Sequence, residues 1–266
     1  MIAAVRSEWR KYATTRLWWI LGIVVFAGGL LYAAMYGFMS VLMATGGDTE
    51  VEAFRTPDLI ASVYNGGNTL TRILALVLGV MAMGAEYRHR TMGWSYLGTP
   101  RRLTVVAAKT VVVLGFGAVY GVINAVAGVI AAIPLVHFYG GSLMLDDPAV
   151  WRSIVLGIVS LALWCLLGMG MGVLIRNMVV AVIIAIAFAY MVEPLVSFVF
   201  AFQEWDVALN LMPSGATSAL MGLKANPLMM AASEPFSWWL ATLVLLGWAA
   251  IPTAIGVFAT IRRDVD

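Results

Sequence analysis

Six long apolar segments constrain this chain more than any other feature of its sequence. A bilayer core about 30 Å thick requires roughly 20 predominantly apolar residues per helix. The six segments that meet this length are residues 17–43, 60–84, 103–135, 154–175, 178–200 and 236–261. Hydrophobic residues make up 62% of the chain and charged residues only 11%. A soluble protein of this size needs more polar residues to cover its hydrophobic core. We therefore predict an all-α fold, a polytopic membrane bundle of six transmembrane helices.

The positions of the basic residues set the predicted orientation, because cytoplasmic loops carry an excess of lysine and arginine. With both termini inside, twelve basic residues lie on the inner side and four on the outer side. The inner set is Arg6, Arg10, Lys11, Arg16, Arg88, Arg90, Arg101, Arg102, Lys109, Arg176, Arg262 and Arg263, and the outer set is Arg55, Arg72, Arg152 and Lys224. This distribution predicts a multi-pass protein with both termini in the cytoplasm.

Residues 1–16, before the first span, have the pattern of an amphipathic helix. The apolar face consists of Ile2, Val5, Trp9 and Tyr12, and the polar side is assigned Glu8, Arg10, Lys11 and Thr14. We predict an interfacial helix on the cytoplasmic side. Residues 201–235 are semi-polar and broken by prolines, which predicts short helices at the outer interface. The whole chain, residues 1–266, is then a single transmembrane domain.

Two charged residues lie inside predicted spans, Arg72 in the second and Glu193 in the fifth. A charge within the bilayer needs a partner or water, and it marks a functional site by default. Both fall in the outer half of the membrane, where they either form an intramembrane ion pair or reach the outer interface separately. Pro194 follows Glu193, and a proline inside a helix predicts a break there.

Closely spaced glycines and one cysteine predict how the spans pack. The glycines are Gly117 with Gly121, and Gly168 with Gly170 and Gly172. Small residues at such spacing allow helices to approach closely. We expect this packing within one subunit, with a dimer seam as the alternative. Cys165, the single cysteine, is expected to be a small buried core residue.

The sequence contains none of the motifs that we sought for an enzyme or an ATP-driven motor. It has no Gly-x-x-x-x-Gly-Lys-Ser/Thr loop for phosphates and no His-Glu-x-x-His pair for zinc. The two histidines, His89 and His137, fall on opposite sides of the membrane in the predicted topology, so they cannot share a site. We expect no catalytic, metal-binding or cofactor-binding residue on this chain, and no nucleic-acid partner.

The stretch from Gly84 to Lys109 resembles the permease subunits of ABC-2 type exporters. Those proteins commonly carry a Glu-x-x-x-x-Thr element leaving the second span, then a Thr/Ser-Pro-x-Arg element, then a lysine entering the third span. The matching residues here are Glu86, Arg88, Thr91, Thr99, Pro100, Arg102 and Lys109. The N-terminal Arg6-Ser-Glu-Trp-Arg-Lys also looks like the opening of bacterial members. In place of the usual Arg-Gly-Thr this chain has Arg90-Thr91-Met92.

The resemblance implies the permease subunit of an ATP-driven exporter in the bacterial cytoplasmic membrane. ATP and Mg²⁺ would be bound by a separate cytoplasmic ATP-binding subunit. A second permease subunit, in a homodimer or a heterodimer, would complete the pathway through the bilayer. The resemblance implies export of an antibiotic, a peptide, a lipid or a polysaccharide, and the many methionines and aromatic residues favour a hydrophobic or amphipathic substrate over a sugar. The sixteen methionines either give such a substrate an adaptable apolar lining or simply fill the bundle.

Residues 85–102 form the cytoplasmic coupling segment, where the ATP-binding subunit would dock. The predicted coupling residues are Glu86, Arg88, Arg90, Thr91, Trp94, Tyr96, Pro100, Arg101 and Arg102. Aromatic anchors with a charged rim are typical of docking surfaces. The alternative is that these arginines only hold the topology and contact lipid headgroups.

Two other functions stay open, an intramembrane enzyme and a secondary transporter driven by an ion gradient. The enzyme would turn over its substrate without a partner subunit. The secondary transporter would need acidic residues near the middle of the membrane, and Glu193 is the only candidate.

Overall fold

The computed structural model of the protein describes residues 2–45, 56–89, 102–175, 177–223 and 235–261. Within these ranges the regular structure is helical and contains no strand, which confirms the predicted all-α class. The helices are α1 (Ile2–Ala13), α2 (Leu17–Thr45), α3 (Pro57–Tyr64), α4 (Asn68–His89), α5 (Arg102–Tyr139), α6 (Pro148–Leu174), α7 (Met178–Ala187), α8 (Glu193–Phe202), α9 (Asp206–Leu211), α10 (Pro213–Met221) and α11 (Trp238–Ile261).

Six helical stretches of the described chain are long and apolar enough to cross a membrane, which confirms the predicted number of spans. They are Leu17–Leu42, Pro57–Gly84, Thr104–Tyr139, Pro148–Leu174, Met178–Phe202 and Trp238–Gly256. The second span consists of α3 and most of α4, and the fifth consists of α7 and α8 with one turn between them. The chain therefore has the architecture of a multi-pass membrane protein.

Helices α4 and α6 lie at the centre of the bundle, with α5 and α11 packed on α6 and α7 packed on α4. Glycines bring the two central helices together. A Cβ atom on Gly168 would overlap the carbonyl oxygen of Leu76, and one on Gly79 would overlap that of Cys165. Cys165 is fully buried at this contact, which confirms its predicted place in the core.

The other glycines predicted to mediate packing also face helices of the same chain. A Cβ on Gly117 would lie 2.6 Å from the Cα atom of Ala162, and one on Gly121 would lie 2.7 Å from that of Ile158. Gly170 and Gly172 face α11 and α4 in the same way. Real Cβ atoms do not come this close to backbone, so packing within one subunit is confirmed for these positions.

The second span is broken between α3 and α4 by a turn at residues 65–67. Gly67 lies so close to the first span that a Cβ there would be 2.6 Å from the Cα atom of Gly29. The Asn65 side chain donates to the Ala61 carbonyl (2.9 Å) and to the Ser153 hydroxyl (3.0 Å), which fixes the turn against α6. The break therefore places polar groups inside the bundle, next to the first and the fourth span.

The fifth span continues through Pro194, so the predicted break at this proline is wrong. A π-helical turn, Phe188–Val192, joins α7 to α8, and the backbone N–H of Glu193 donates to the Phe188 carbonyl five residues earlier. Proline cannot donate to the carbonyl four residues before it, and its ring clashes with that group in a regular helix. A wider turn just before Pro194 relieves this conflict without ending the helix.

Helix α1 forms as predicted and lies against α5. The Trp9 ring stacks on Phe116 with 4.6 Å between ring centroids, and the Tyr12 hydroxyl donates to the Ala82 carbonyl of α4 (2.8 Å). The assignment of Glu8 to the polar side is wrong, because its side chain is buried against Lys109 of α5. Glu8 lies three residues after Val5 and four before Tyr12, which puts it on the helix face that packs inward.

The predicted short helices after the fifth span are present as α9 and α10, while residues 224–234 lie outside the described chain. Helix α10 is not a surface helix. Its Ala216, Thr217 and Leu220 are buried against α6 and α11, and Thr217 accepts a hydrogen bond from the Trp164 indole (2.8 Å). This packing brings the start of α10 close to the fifth span.

Candidate functional site

A cavity of about 190 Å³ lies where the broken second span, the start of α8 and the α9–α10 pair meet. We call it the charged cavity. Its polar lining residues are Tyr36, Ser62, Asn65, Asn68, Thr69, Arg72, Glu193, Ser197, Asn210, Ser214 and Ser218. Both intramembrane charges of the sequence therefore face the same space, in a bundle whose other interior surfaces are mostly apolar.

Arg72 enters the charged cavity from the first turns of α4. Its guanidinium carbon lies 5.3 Å from the centroid of the Trp164 ring on α6, an arrangement suited to a cation–π contact. Its Nε atom is buried and has no hydrogen-bond partner among the described residues. Trp164 is itself held by Thr217, so the ring gives the guanidinium a fixed platform.

Glu193, the first residue of α8, also lines the charged cavity. Its side chain is 1% exposed, and its Oε1 atom accepts hydrogen bonds from the backbone N–H (3.0 Å) and from the hydroxyl of Ser214. Ser214 is the second residue of α10, whose N-cap residue Met212 supplies no side-chain cap. A carboxylate at a helix start satisfies unpaired N–H groups and complements the helix dipole. Glu193 thus acts as the cap of a neighbouring helix.

Arg72 and Glu193 line the same cavity, and opposite charges that share a poorly solvated space attract each other. No hydrogen bond or ion pair joins Arg72 directly to Glu193 in the described part of the chain. A direct intramembrane ion pair between them therefore stays a prediction. The structure places both charged residues in the lining of one cavity.

Three buried side-chain atoms of the described residues lack a hydrogen-bond partner, and all three belong to residues that line this cavity. They are Asn68 Oδ1, Arg72 Nε and Ser197 Oγ. The Asn68 amide nitrogen, by contrast, donates to Ser160 Oγ (3.2 Å) and contacts the Met221 sulfur (3.6 Å). An unpaired buried polar group costs about 1–3 kcal/mol. The residues that line the cavity therefore keep hydrogen-bonding capacity that no described group uses.

The sequence analysis identified the two charged residues of the cavity but not the serines that line it with them. Ser197 lies four residues after Glu193, and Ser218 lies four residues after Ser214, so each pair shares one helical face. This spacing was a usable signal for a polar stripe on α8 and α10. The meeting of the two stripes could not be read from it, because it depends on how α10 packs into the bundle.

Most of the predicted coupling segment lies outside the described residues. This applies to Arg90, Thr91, Trp94, Tyr96, Pro100 and Arg101. For Glu86, Arg88 and Arg102 only the helical backbone is described, at the end of α4 and the start of α5. The coupling role of these nine residues stays a prediction.

Helix α1 holds the two helices that carry the coupling segment. Lys109 Nζ on α5 contacts Glu8 Oε2 (2.7 Å) and the Ala82 carbonyl of α4 (3.5 Å), and Lys11 contacts the other Glu8 oxygen (2.5 Å). Burial by itself raises the pKa of Glu8, but the two lysines outweigh it and hold the pKa below its ordinary value of 4.5. Glu8 is thus a buried carboxylate that stays ionised in the folded protein.

No group of three or more metal-ligating side chains occurs among the described residues. When the sequence was compared with protein-family models and with curated proteins, neither comparison returned a match.

Proposed function

We propose that this protein is the membrane-spanning permease subunit of an ATP-driven exporter of the ABC-2 type, working with a separate cytoplasmic ATP-binding subunit. The observation that carries the transport function is the charged cavity at the junction of a broken span and a π-widened span. Irregular backbone at membrane depth persists only where it is buried in protein or lines a cavity. Transporters place substrate sites at such interrupted helices.

The energy source is proposed from the sequence resemblance around residues 84–109. The described structure supports it in one respect, because the two helices that flank the coupling segment are locked together by Glu8, Lys109 and Tyr12. A partner that pushes on the segment would therefore move α1, α4 and α5 as one unit. Helix α4 also carries Arg72, so the push would reach the charged cavity.

A second permease subunit, identical or a sister chain, is part of the proposal. Helices α2, α7, α8 and α11 present large exposed apolar side chains, among them Leu31, Ile183, Phe198 and Leu243. In the membrane, part of this apolar surface would contact lipid and part would contact the second subunit. We place both termini in the cytoplasm on the distribution of basic residues.

A transporter driven by an ion gradient is the second candidate, and Glu193 favours it. A buried carboxylate beside a cavity is the kind of group that carries protons in such proteins. In that case movement of substrate would follow a pH gradient and would need no second protein.

The ATP requirement distinguishes the two candidates. The purified chain alone is expected to hydrolyse no ATP, because it has no phosphate-binding loop. Hydrolysis should appear only when an ATP-binding subunit co-purifies, and should disappear when that subunit is removed by washing. Turnover by this polypeptide alone, or substrate movement driven by a proton gradient without ATP, would overturn the proposal.

A further inference from the structure

We propose that the charged cavity binds a small zwitterionic group, an oxyanion such as phosphate joined to a primary ammonium. Arg72 would bind the oxyanion, and Glu193 would bind the ammonium. The inference names a substrate class for the cavity and therefore rests on the proposed transport function. It starts from two opposite charges that face one cavity with no direct bond between them among the described residues.

The oxyanion end is set by Arg72. A guanidinium presents N–H donors in a planar fork that matches the oxygens of phosphate or carboxylate. The Trp164 ring packs against this group from α6, and Arg72 Nε has no protein acceptor in the described chain. Arg72 lines the cavity, so an oxyanion held there would accept hydrogen bonds from its guanidinium.

The ammonium end is set by two acceptors. Both hydrogen bonds from Ser214 go to Oε1 of Glu193, which leaves the acceptor capacity of Oε2. Asn68 also lines the cavity, and its Oδ1 atom is buried without a hydrogen-bond partner among the described residues. A primary ammonium carries three N–H donors, whereas a trimethylammonium carries none. The cavity should therefore prefer a primary ammonium.

The size of the cavity limits the ligand to a small group. Its volume, about 190 Å³, lies below the roughly 300–1,000 Å³ of pockets that enclose drug-sized molecules. On the outer face of α8, Leu195 and Phe198 are exposed and could accompany an apolar tail along the span. The zwitterion is thus either the headgroup of a lipid or a small free molecule, and both share the same chemistry.

The test uses the purified full-length chain and needs neither ATP nor a partner. Binding of phosphoethanolamine and phosphocholine would be measured in solution, and the thermal shift caused by phosphatidylethanolamine and phosphatidylcholine would be measured in detergent. The variants are Arg72→Met, Glu193→Gln and the control Arg152→Met. Arg152 also lies over a tryptophan ring (Trp238, 6.0 Å) but does not line the cavity.

The ethanolamine probes should bind at least about tenfold more tightly than the choline probes, the difference expected for lost charge-assisted hydrogen bonds. Arg72→Met should weaken both classes by a similar factor. Glu193→Gln should remove the preference for ethanolamine, and Arg152→Met should change neither property. A response to the lipid alone would identify a headgroup as the source, and a response to the soluble probe would identify a free zwitterion.

Equal binding of ethanolamine and choline probes that is insensitive to Arg72 and Glu193 would overturn the inference and would mark general lipid association. If Arg72→Met does not fold, Arg72→Lys and Glu193→Gln decide the question, because both keep the side-chain size. Ethanolamine preference without ATP-driven transport would leave this site standing and refute the proposed function. ATP-driven transport without the preference for ethanolamine would support the proposed function and refute this binding site.

Discussion

Glu8 and Lys109 form a buried ion pair that ties the N-terminal helix to the third span. Removing one partner of such a pair leaves an uncompensated charge and costs about 3–5 kcal/mol. Lys11 also contacts Glu8, but its side chain is 42% exposed, and exposed pairs contribute little. The residue that matters for the attachment of α1 is therefore Lys109, and the pH dependence of the pair follows from Glu8.

We expect the protein to lose stability in acid through Glu8. Because the folded pKa of Glu8 lies below 4.5, its contribution is fully present above that pH and is lost as the pH falls through the lowered value. Glu8→Gln should reduce the melting temperature near neutral pH and flatten its decline below pH 4.5. The exposed Glu204→Gln is the control. Melting curves of both variants with the same acid slope as the unmodified protein would contradict this assignment.

Arg72 and Glu193 should interact energetically even though no direct bond joins them among the described residues. Arg72→Met and Glu193→Gln should each destabilise the protein, and the double variant should recover part of the loss. A coupling of about 0.5–3 kcal/mol is the range for neighbouring residues. Thermal unfolding in detergent gives the three differences. Strict additivity would show that the two charges act independently.

At the scale of helices, the sequence predicted the six spans but not the form of the irregularities in the second and the fifth. Asn65, Asn68 and Arg72 interrupt the apolar pattern of the second span. The turn itself depends on Gly67 fitting against Gly29 of another span, which no local pattern reveals. Pro194 marked an irregularity in the fifth span, but a π turn accommodates it in place of the predicted break, and the sequence pattern does not distinguish these two outcomes.

The contact between α4 and α6 should be the most sensitive helix pair to an added methyl group. Gly168→Ala would place a Cβ atom onto the Leu76 carbonyl oxygen, so the backbones must separate. Overpacking of this kind costs about 1–3 kcal/mol. Gly247→Ala on α11 is the matched control, since no atom lies within 4 Å of the added Cβ. A Gly168→Ala protein that melts at the same temperature as Gly247→Ala would mean that the two helices lie further apart.

At the scale of the whole molecule, one bundle joins an internal charged cavity to a predicted docking segment. Helix α4 spans the distance between them, from Arg72 at the cavity to its last turn at His89, which already belongs to the predicted coupling segment. Six apolar spans could be predicted from hydropathy alone. The cavity could not, because its walls come from several regions that are distant in sequence and meet only when the bundle packs.

The most direct measurement of the central claim is the association of the chain with an ATP-binding subunit after Trp94 and Tyr96 are replaced. Buried aromatic anchors at interfaces are each worth about 2 kcal/mol or more, so Trp94→Ala with Tyr96→Ala should release the subunit or uncouple its ATP hydrolysis from transport. Membrane insertion should stay normal, and the exposed Trp205→Ala on the opposite side should have no effect. A double variant that retains the subunit, its ATPase rate and transport would contradict the account.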